Sequence, residues 1–231
     1  MDKRVSSIAA AFEGVADGAV VLIGGFGAVG QPNALIDALA EYGVKDLTVV
    51  ANNAGWGRET GIPRLLGMRR VRKMICSFPK GSELMEELYR EHRIEMELVP
   101  QGTLAERIRA AGAGIPAFYT PTGVGTRLAE GKEVREFNGR PCLLERALDA
   151  DLALIEAWQA DRWGNLTYRG SGRNFNPIMA TAARLTVAQV HHVVELGGIA
   201  PDAVITPGIF VDRVIPLACL KGAVAPAGDA A

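Results

Sequence analysis

The chain has 231 residues, with 25 Lys+Arg against 26 Asp+Glu and a net charge of −1. Hydrophobic residues make up 48% and charged residues 22%, which excludes the disordered class and leaves no basic surplus to attract a nucleic acid or a membrane surface. Glycine is plentiful at 27 and histidine scarce at three, so backbone rather than imidazole is expected to line the important places, and no metal centre is expected.

The first two-thirds of the chain alternate between helix and strand signals. Residues 6–15 read as an opening helix and 19–23 as an apolar strand. A glycine-rich turn follows at 24–30, then a helix over 32–42 with Pro32 in its first turn, where a missing N–H costs nothing. Strands are expected over 47–51, 71–76 and 94–99, and helices over 82–91 and 104–111. Buried strands alternating with helices predict a mostly parallel α/β sheet covered on both faces, Rossmann-like in outline.

The pattern changes after residue 111. Residues 111–125 are rich in glycine and proline and read as a long shaped loop. Residues 133–144 read as a hairpin turning at Asn138-Gly139, an added β-rich portion. Strands are expected over 152–158, 185–190 and 209–215, with a polar, glycine-rich stretch at 164–176. Residues 1–220 are taken as one domain and 221–231 as a disordered Ala/Gly/Pro-rich tail.

Cys76, Cys142 and Cys219 are dispersed, which fits neither a zinc site nor a disulfide framework and suits a reducing cytoplasm. Residues 1–15 read as an amphipathic helix rather than a leader, and the apolar runs fall far short of the roughly 20 residues that span a bilayer.

Gly25, Gly27 and Gly30 form a G-x-G-x-x-G between a strand and a helix, the order of a dinucleotide-binding turn. A nicotinamide site also wants Asp or Glu at the end of the next strand to hold ribose hydroxyls, and this chain has Asn52 and Asn53 there. An NAD-binding oxidoreductase, or a tight turn without a ligand, both remain open on these residues alone.

A wider set of residues carries a resemblance. The run Asp17-Gly18, Ile23-Gly24-Gly25-Phe26, Gly30-Gln31-Pro32 resembles the alpha-subunit signature of class I CoA-transferases. Similar stretches are Asn52-Asn53-Ala54-Gly55, Val99-Pro100-Gln101-Gly102-Thr103, Glu130-Gly131-Lys132, Arg173-Asn174-Phe175 and Thr206-Pro207-Gly208, so the likeness runs from about Ser6 to Val214. It implies that CoA moves between acids through an acyl-glutamyl anhydride and a glutamyl-CoA thioester, a carboxylate being both nucleophile and leaving group. It implies a CoA thioester as substrate and no permanently bound cofactor. The family's Ser-Glu-Asn-Gly nucleophile motif is absent; Glu136-Phe137-Asn138-Gly139 has the wrong spacing and falls at the expected hairpin turn. The resemblance therefore implies a partner chain, the CoA-transferase beta subunit, that carries the glutamate in an α2β2 heterotetramer. A non-catalytic CoA-binding or scaffolding role is the competing reading.

Residue by residue, the resemblance assigns Gly24, Gly25, Phe26, Gly27, Ala28, Val29 and Gly30 to a CoA-contacting loop. It assigns Asn52 and Asn53 to the CoA and thioester region and Gln101 to a place beside the reacting carboxylate, where an uncharged donor orients without neutralising. Arg169 and Arg173 are candidates for a substrate carboxylate. The cluster Arg69, Arg70, Arg72 and Lys73 reads as a solvated face, Cys76 as a core residue, and His191 and His192 as structural, with no evident carboxylate partner. Residues 76–79, 161–169 and 206–211 look like the 3-oxoadipate branch of the family, whereas 114–119 look closer to the 3-ketoacid branch.

Overall fold

The computed structural model describes residues 1–221, so the tail expected from residue 222 lies outside the described residues. The first half contains α1 (Ile8–Phe12), β1 (Val20–Ile23), α2 (Asn33–Tyr42), β2 (Leu47–Asn53), α3 (Ile62–Gly67), β3 (Val71–Phe78), α4 (Glu83–Arg90), β4 (Glu95–Leu98) and α5 (Gln101–Gly112). The second contains β5 (Ala117–Thr120), β6 (Val134–Phe137), β7 (Arg140–Arg146), β8 (Ala150–Ala160), β9 (Leu166–Thr167), α6 (Asn176–Ala180), β10 (Ala183–Val193), β11 (Arg213–Pro216) and α7 (Leu217–Lys221), which takes in residue 221 of the expected tail.

The main sheet runs β11-β10-β8-β1-β2-β3-β4, with every neighbouring pair parallel, and short β9 pairs antiparallel with β8. From β1 the chain steps outward through β2, β3 and β4, then returns to the other side of β1 and builds β8, β10 and β11. The β1/β8 boundary is therefore the topological switch point, where open parallel sheets leave a crevice at the strand carboxyl ends.

The composition of the strands explains their placement. All seven residues of β2 are buried, as a strand covered on both faces requires. One apolar layer joins the sheet to α1, α2, α3, α4 and α7 through Phe12, Leu35, Leu39, Leu65, Met85 and Leu220. The other joins it to α5 and α6 through Leu104, Ile108 and Met179. Helix α2 stops at Gly43, whose φ of 102° is the left-handed cap that glycine adopts freely. Helix α4 starts at Ser82, whose hydroxyl accepts from the Met85 N–H at 3.3 Å.

The second, three-stranded sheet is antiparallel, in the order β5-β7-β6. Its β6–β7 turn is the expected Asn138-Gly139 pair, with φ of 51° and 73°. The expected loop over 111–125 is corrected here: Ala117–Thr120 forms strand β5 against β7, because Phe118 and Tyr119 suit a pleated surface although glycine and proline flank them. Three short helices, α3, α6 and α7, were not expected; six, five and five residues are too few to show a helical period. The expected 209–215 strand is partly a helical turn, Gly208–Phe210, with β11 starting only at Arg213.

At the β4 edge, Glu97 accepts from Lys73 Nζ at 2.6 Å and Arg107 Nη1 at 2.9 Å. Burial pushes this carboxyl up, but the two cationic hydrogen bonds outweigh burial and leave it below its ordinary 4.5. A lowered folded value means stability that is present above the unfolded value and is lost as pH falls through the folded one. The urea midpoint of Glu97→Gln should accordingly be lower than wild type at pH 7, and the gap should close as pH drops below about 4.5. A gap that stays constant with pH would contradict this.

Candidate active site at the strand carboxyl ends

The site is organised by a residue that sequence reading passed over. Asn176 is fully buried at the start of α6 and spans the switch point. Its Nδ2 donates to the Gly30 and Gly172 carbonyls, each at 2.9 Å, and its Oδ1 accepts from the Glu156 N–H at 2.9 Å. One carboxamide thus ties the turn after β1, the 170s loop and strand β8 together. The space it needs explains two glycines: a Cβ on Gly24 would lie 1.8 Å from Asn176 Oδ1, and one on Gly30 would lie 2.5 Å from the Gly172 carbonyl. At these two glycines the protein's own atoms already require close approach.

The 24–30 loop divides accordingly. Gly24, Gly25 and Gly30 are buried, whereas Phe26, Ala28 and Val29 are exposed at a tip closed by reciprocal Phe26–Val29 backbone bonds of 3.0 and 3.1 Å. Gly27, with φ 63°, is the loop glycine around which an added Cβ would meet nothing nearer than Trp56 at 3.8 Å. The tip is therefore the part of the loop that a ligand can reach.

The helix after this loop has few free N–H groups at its start. Pro32 has no N–H; Asn33 N–H donates to the Gln31 carbonyl at 2.8 Å, and Leu35 N–H to Gln189 Oε1 at 3.0 Å. With two of these N–H groups satisfied internally and no acid at the end of β2, the turn departs from a nicotinamide site.

The carried-over polar residues do come together. Asn53 Nδ2 donates to the Gly27 carbonyl at 3.3 Å, and its Oδ1 accepts from Gly55 N–H at 2.9 Å, which fixes the loop tip over the end of β2. Asn52 Nδ2 donates to Gln101 Oε1 at 3.1 Å. Both asparagines are buried, while Gln101 is exposed as the first residue of α5. With its Oε1 held by Asn52, the Gln101 carboxamide keeps Nε2 for a ligand; that nitrogen makes no hydrogen bond among the described residues.

Beside Gln101 lies a cleft of about 330 Å³, lined by Phe26, Gln101, Gly102, Ala105, Asn174, Phe175 and Ile178. The lining holds no carboxylate, thiol or imidazole. Depressions of about 470 and 490 Å³ sit instead at the amino ends of the strands, around Asp17 and Asp151 or around Arg72 and Glu95. Size alone would choose those; the convergent amides choose the carboxyl end.

Other sequence candidates fall elsewhere. Arg70, Arg72 and Lys73, at the start of β3 and the far end of the sheet, bond to the Gly43 carbonyl, Thr48 and Glu97. Glu136 is an exposed residue of strand β6 rather than of a turn. Cys76 is buried, and burial pushes its thiol up to about 11. Arg169 lies over the Trp158 ring at 4.7 Å. His191 corrects the expectation of no carboxylate partner: its Nε2 is 3.5 Å from Glu156 Oε1, because β8 and β10 pair in a register that sequence does not reveal.

Comparison with known proteins identifies the class. The coenzyme A transferase family matches residues 5–216, and the chain belongs to that family. It is 57% identical to the alpha subunit of 3-oxoadipate CoA-transferase from Pseudomonas putida, over 93% of this chain and 94% of that one. It is 53% identical to the alpha subunit of succinyl-CoA:3-ketoacid coenzyme A transferase from Xanthomonas campestris pv. campestris (strain B100), over 92% and 88%. Glutaconate coenzyme A-transferase from Acidaminococcus fermentans shares the fold, with a TM-score of 0.81 at 19% identity over 93% of this chain and 75% of that one. The NAD-binding oxidoreductase reading is thereby set aside.

Asn176→Leu keeps roughly the volume but leaves an N–H and two carbonyls at the switch point unpaired. It should lower unfolding free energy by about 2–4 kcal/mol, read from urea denaturation. An unchanged midpoint would contradict the clamp.

Proposed function

We propose that this chain is the alpha half of a two-chain enzyme that moves CoA from succinyl-CoA to a 3-oxoacid, with 3-oxoadipate as the acceptor. The observation that carries the reading is a cleft equipped with an oriented amide donor, Gln101 braced by Asn52, and lined by no nucleophile. The chemistry then needs a carboxylate from outside the chain, and relatives over most of this length are named as one subunit of their enzymes. A glutamate of the beta chain attacks the thioester carbonyl, the C–S bond breaks, and CoA leaves as thiolate. The thiolate attacks the glutamyl carbonyl of the resulting anhydride and releases the first acid. The acceptor acid reverses both steps.

In this scheme Gln101 Nε2 donates to the oxyanion of the tetrahedral species, where a fixed donor is worth most. Asn53 holds the Gly27 carbonyl so that the Phe26–Val29 tip presents backbone and apolar surface to CoA, which enters as substrate and is not held permanently. Arg169 and Arg173 are left without a step. The assembly is read as α2β2, in a reducing cytoplasm; the three cysteines are free, and no helix among the described residues is long and apolar enough to cross a membrane. The choice of 3-oxoadipate rests on the 76–79, 161–169 and 206–211 segments; identity does not separate the two branches, with 3-oxoadipate subunits at 57% and 52% and a 3-ketoacid subunit at 53%.

Kinetics of the purified chain, alone and co-purified with the beta chain, test this reading. The chain alone should be inactive and the complex active, with a higher kcat/KM for 3-oxoadipate than for acetoacetate. Full activity of the chain alone would refute the two-chain site, and preference for acetoacetate would reverse the substrate. In the complex, Gln101→Leu should lower kcat about 10²-fold while assembly persists, as loss of an oxyanion donor does. Unchanged turnover would remove Gln101 from the site.

A further inference from the structure

Ser77 is a polar side chain beside the site that no role above uses. Strands β2 and β3 place Ala51 next to Cys76 and Asn53 next to Phe78, so Asn52 and Ser77 are lateral neighbours in the ladder. Two residues back, Val50 and Ile75 both enter the apolar layer under α5; side chains alternate along a strand, so Asn52 and Ser77 share that face. Val99, of the same layer, follows β4 on the other side of β3 and donates its N–H to the Cys76 carbonyl at 3.0 Å. Ser77 Oγ is buried and has no hydrogen-bond partner among the described residues. A buried hydroxyl left unpaired is costly, and its place next to Asn52 offers the compensation.

Asn52 Nδ2 is committed to Gln101 Oε1 at 3.1 Å. That amide carries a second N–H, which has no acceptor among the described residues. A preorganised donor at Gln101 requires Asn52 to be held still, and this second N–H is available to hold it. Neighbouring strands lie about 4.8 Å apart, so an adjacent hydroxyl is within a small side-chain rotation. We propose that Ser77 is a positioning residue, its hydroxyl accepting the second Asn52 N–H and so holding in place the amide that braces Gln101. This rests on the CoA-transferase reading above.

The test uses the complex with the beta chain and the variants Ser77→Ala, Asn52→Ala and the double variant. Ser77→Ala should lower kcat about ten-fold, with KM for the acyl-CoA changed less than about two-fold. Its thermal midpoint should stay level, because removing a buried hydroxyl offsets the one hydrogen bond lost. In the Asn52→Ala background the same change should alter kcat less than about two-fold, since the group it serves is gone. Unchanged kcat in Ser77→Ala, an equal loss in both backgrounds, or a loss that tracks a lowered melting point would each overturn the assignment. Wild-type turnover, measured alongside, separates the two claims: an active wild-type complex with an indifferent Ser77→Ala removes Ser77 alone, whereas an inactive wild-type complex removes both.

Discussion

A parallel sheet whose strand order reverses leaves a gap at its carboxyl edge, and in this protein the Asn176 carboxamide closes that gap. The backbone groups on either side, the Glu156 N–H and the Gly30 and Gly172 carbonyls, belong to three separate segments of the chain. Each would be unpaired if the amide were lost. The geometry leaves no room for side chains at Gly24 and Gly30, so the clamp by itself requires glycine at two positions of the loop. With its base fixed, the loop can expose Phe26, Ala28 and Val29 at a defined position next to Gln101.

A second row of amides is laid over this frame. Asn53 holds the loop tip, and Asn52 holds Gln101 at the head of α5. Every group in the row is uncharged, which suits a site that must accommodate an incoming carboxylate and then a transient oxyanion without trapping either as an ion pair. The scarcity of histidine fits the same chemistry: the proposed acyl exchange passes between carboxylate and thiolate, and no proton transfer to an imidazole is needed. Because this chain lines its cleft without a carboxylate, in the proposed exchange the fold supplies orientation and the partner supplies the nucleophile.

Much of the fold was legible because long apolar runs and capping residues announce themselves. Strands β1, β2, β3 and β8, helices α2, α4 and α5, and the Asn138-Gly139 hairpin all lie where their patterns put them, with boundaries shifted by a few residues. Strand β5 was hidden because four residues between glycines and prolines resemble a loop, and α3, α6 and α7 because a single turn or two has no period. In the site, Asn52, Asn53 and Gln101 were legible by resemblance and by their place at strand ends. Asn176 was not: an asparagine before a proline reads as a turn, and its partners Glu156 and Gly30 are 20 and 146 positions away. The Glu156–His191 contact was invisible for the same reason, since it depends on strand register.

The central claim is that this chain orients a reaction whose covalent intermediate forms on another chain. Intact-mass spectrometry of the assembled complex, after brief incubation with succinyl-CoA and no acceptor acid, tests it most directly. The account predicts the mass of a CoA thioester on the beta chain and an unmodified mass for this one. A CoA adduct on this chain would contradict it.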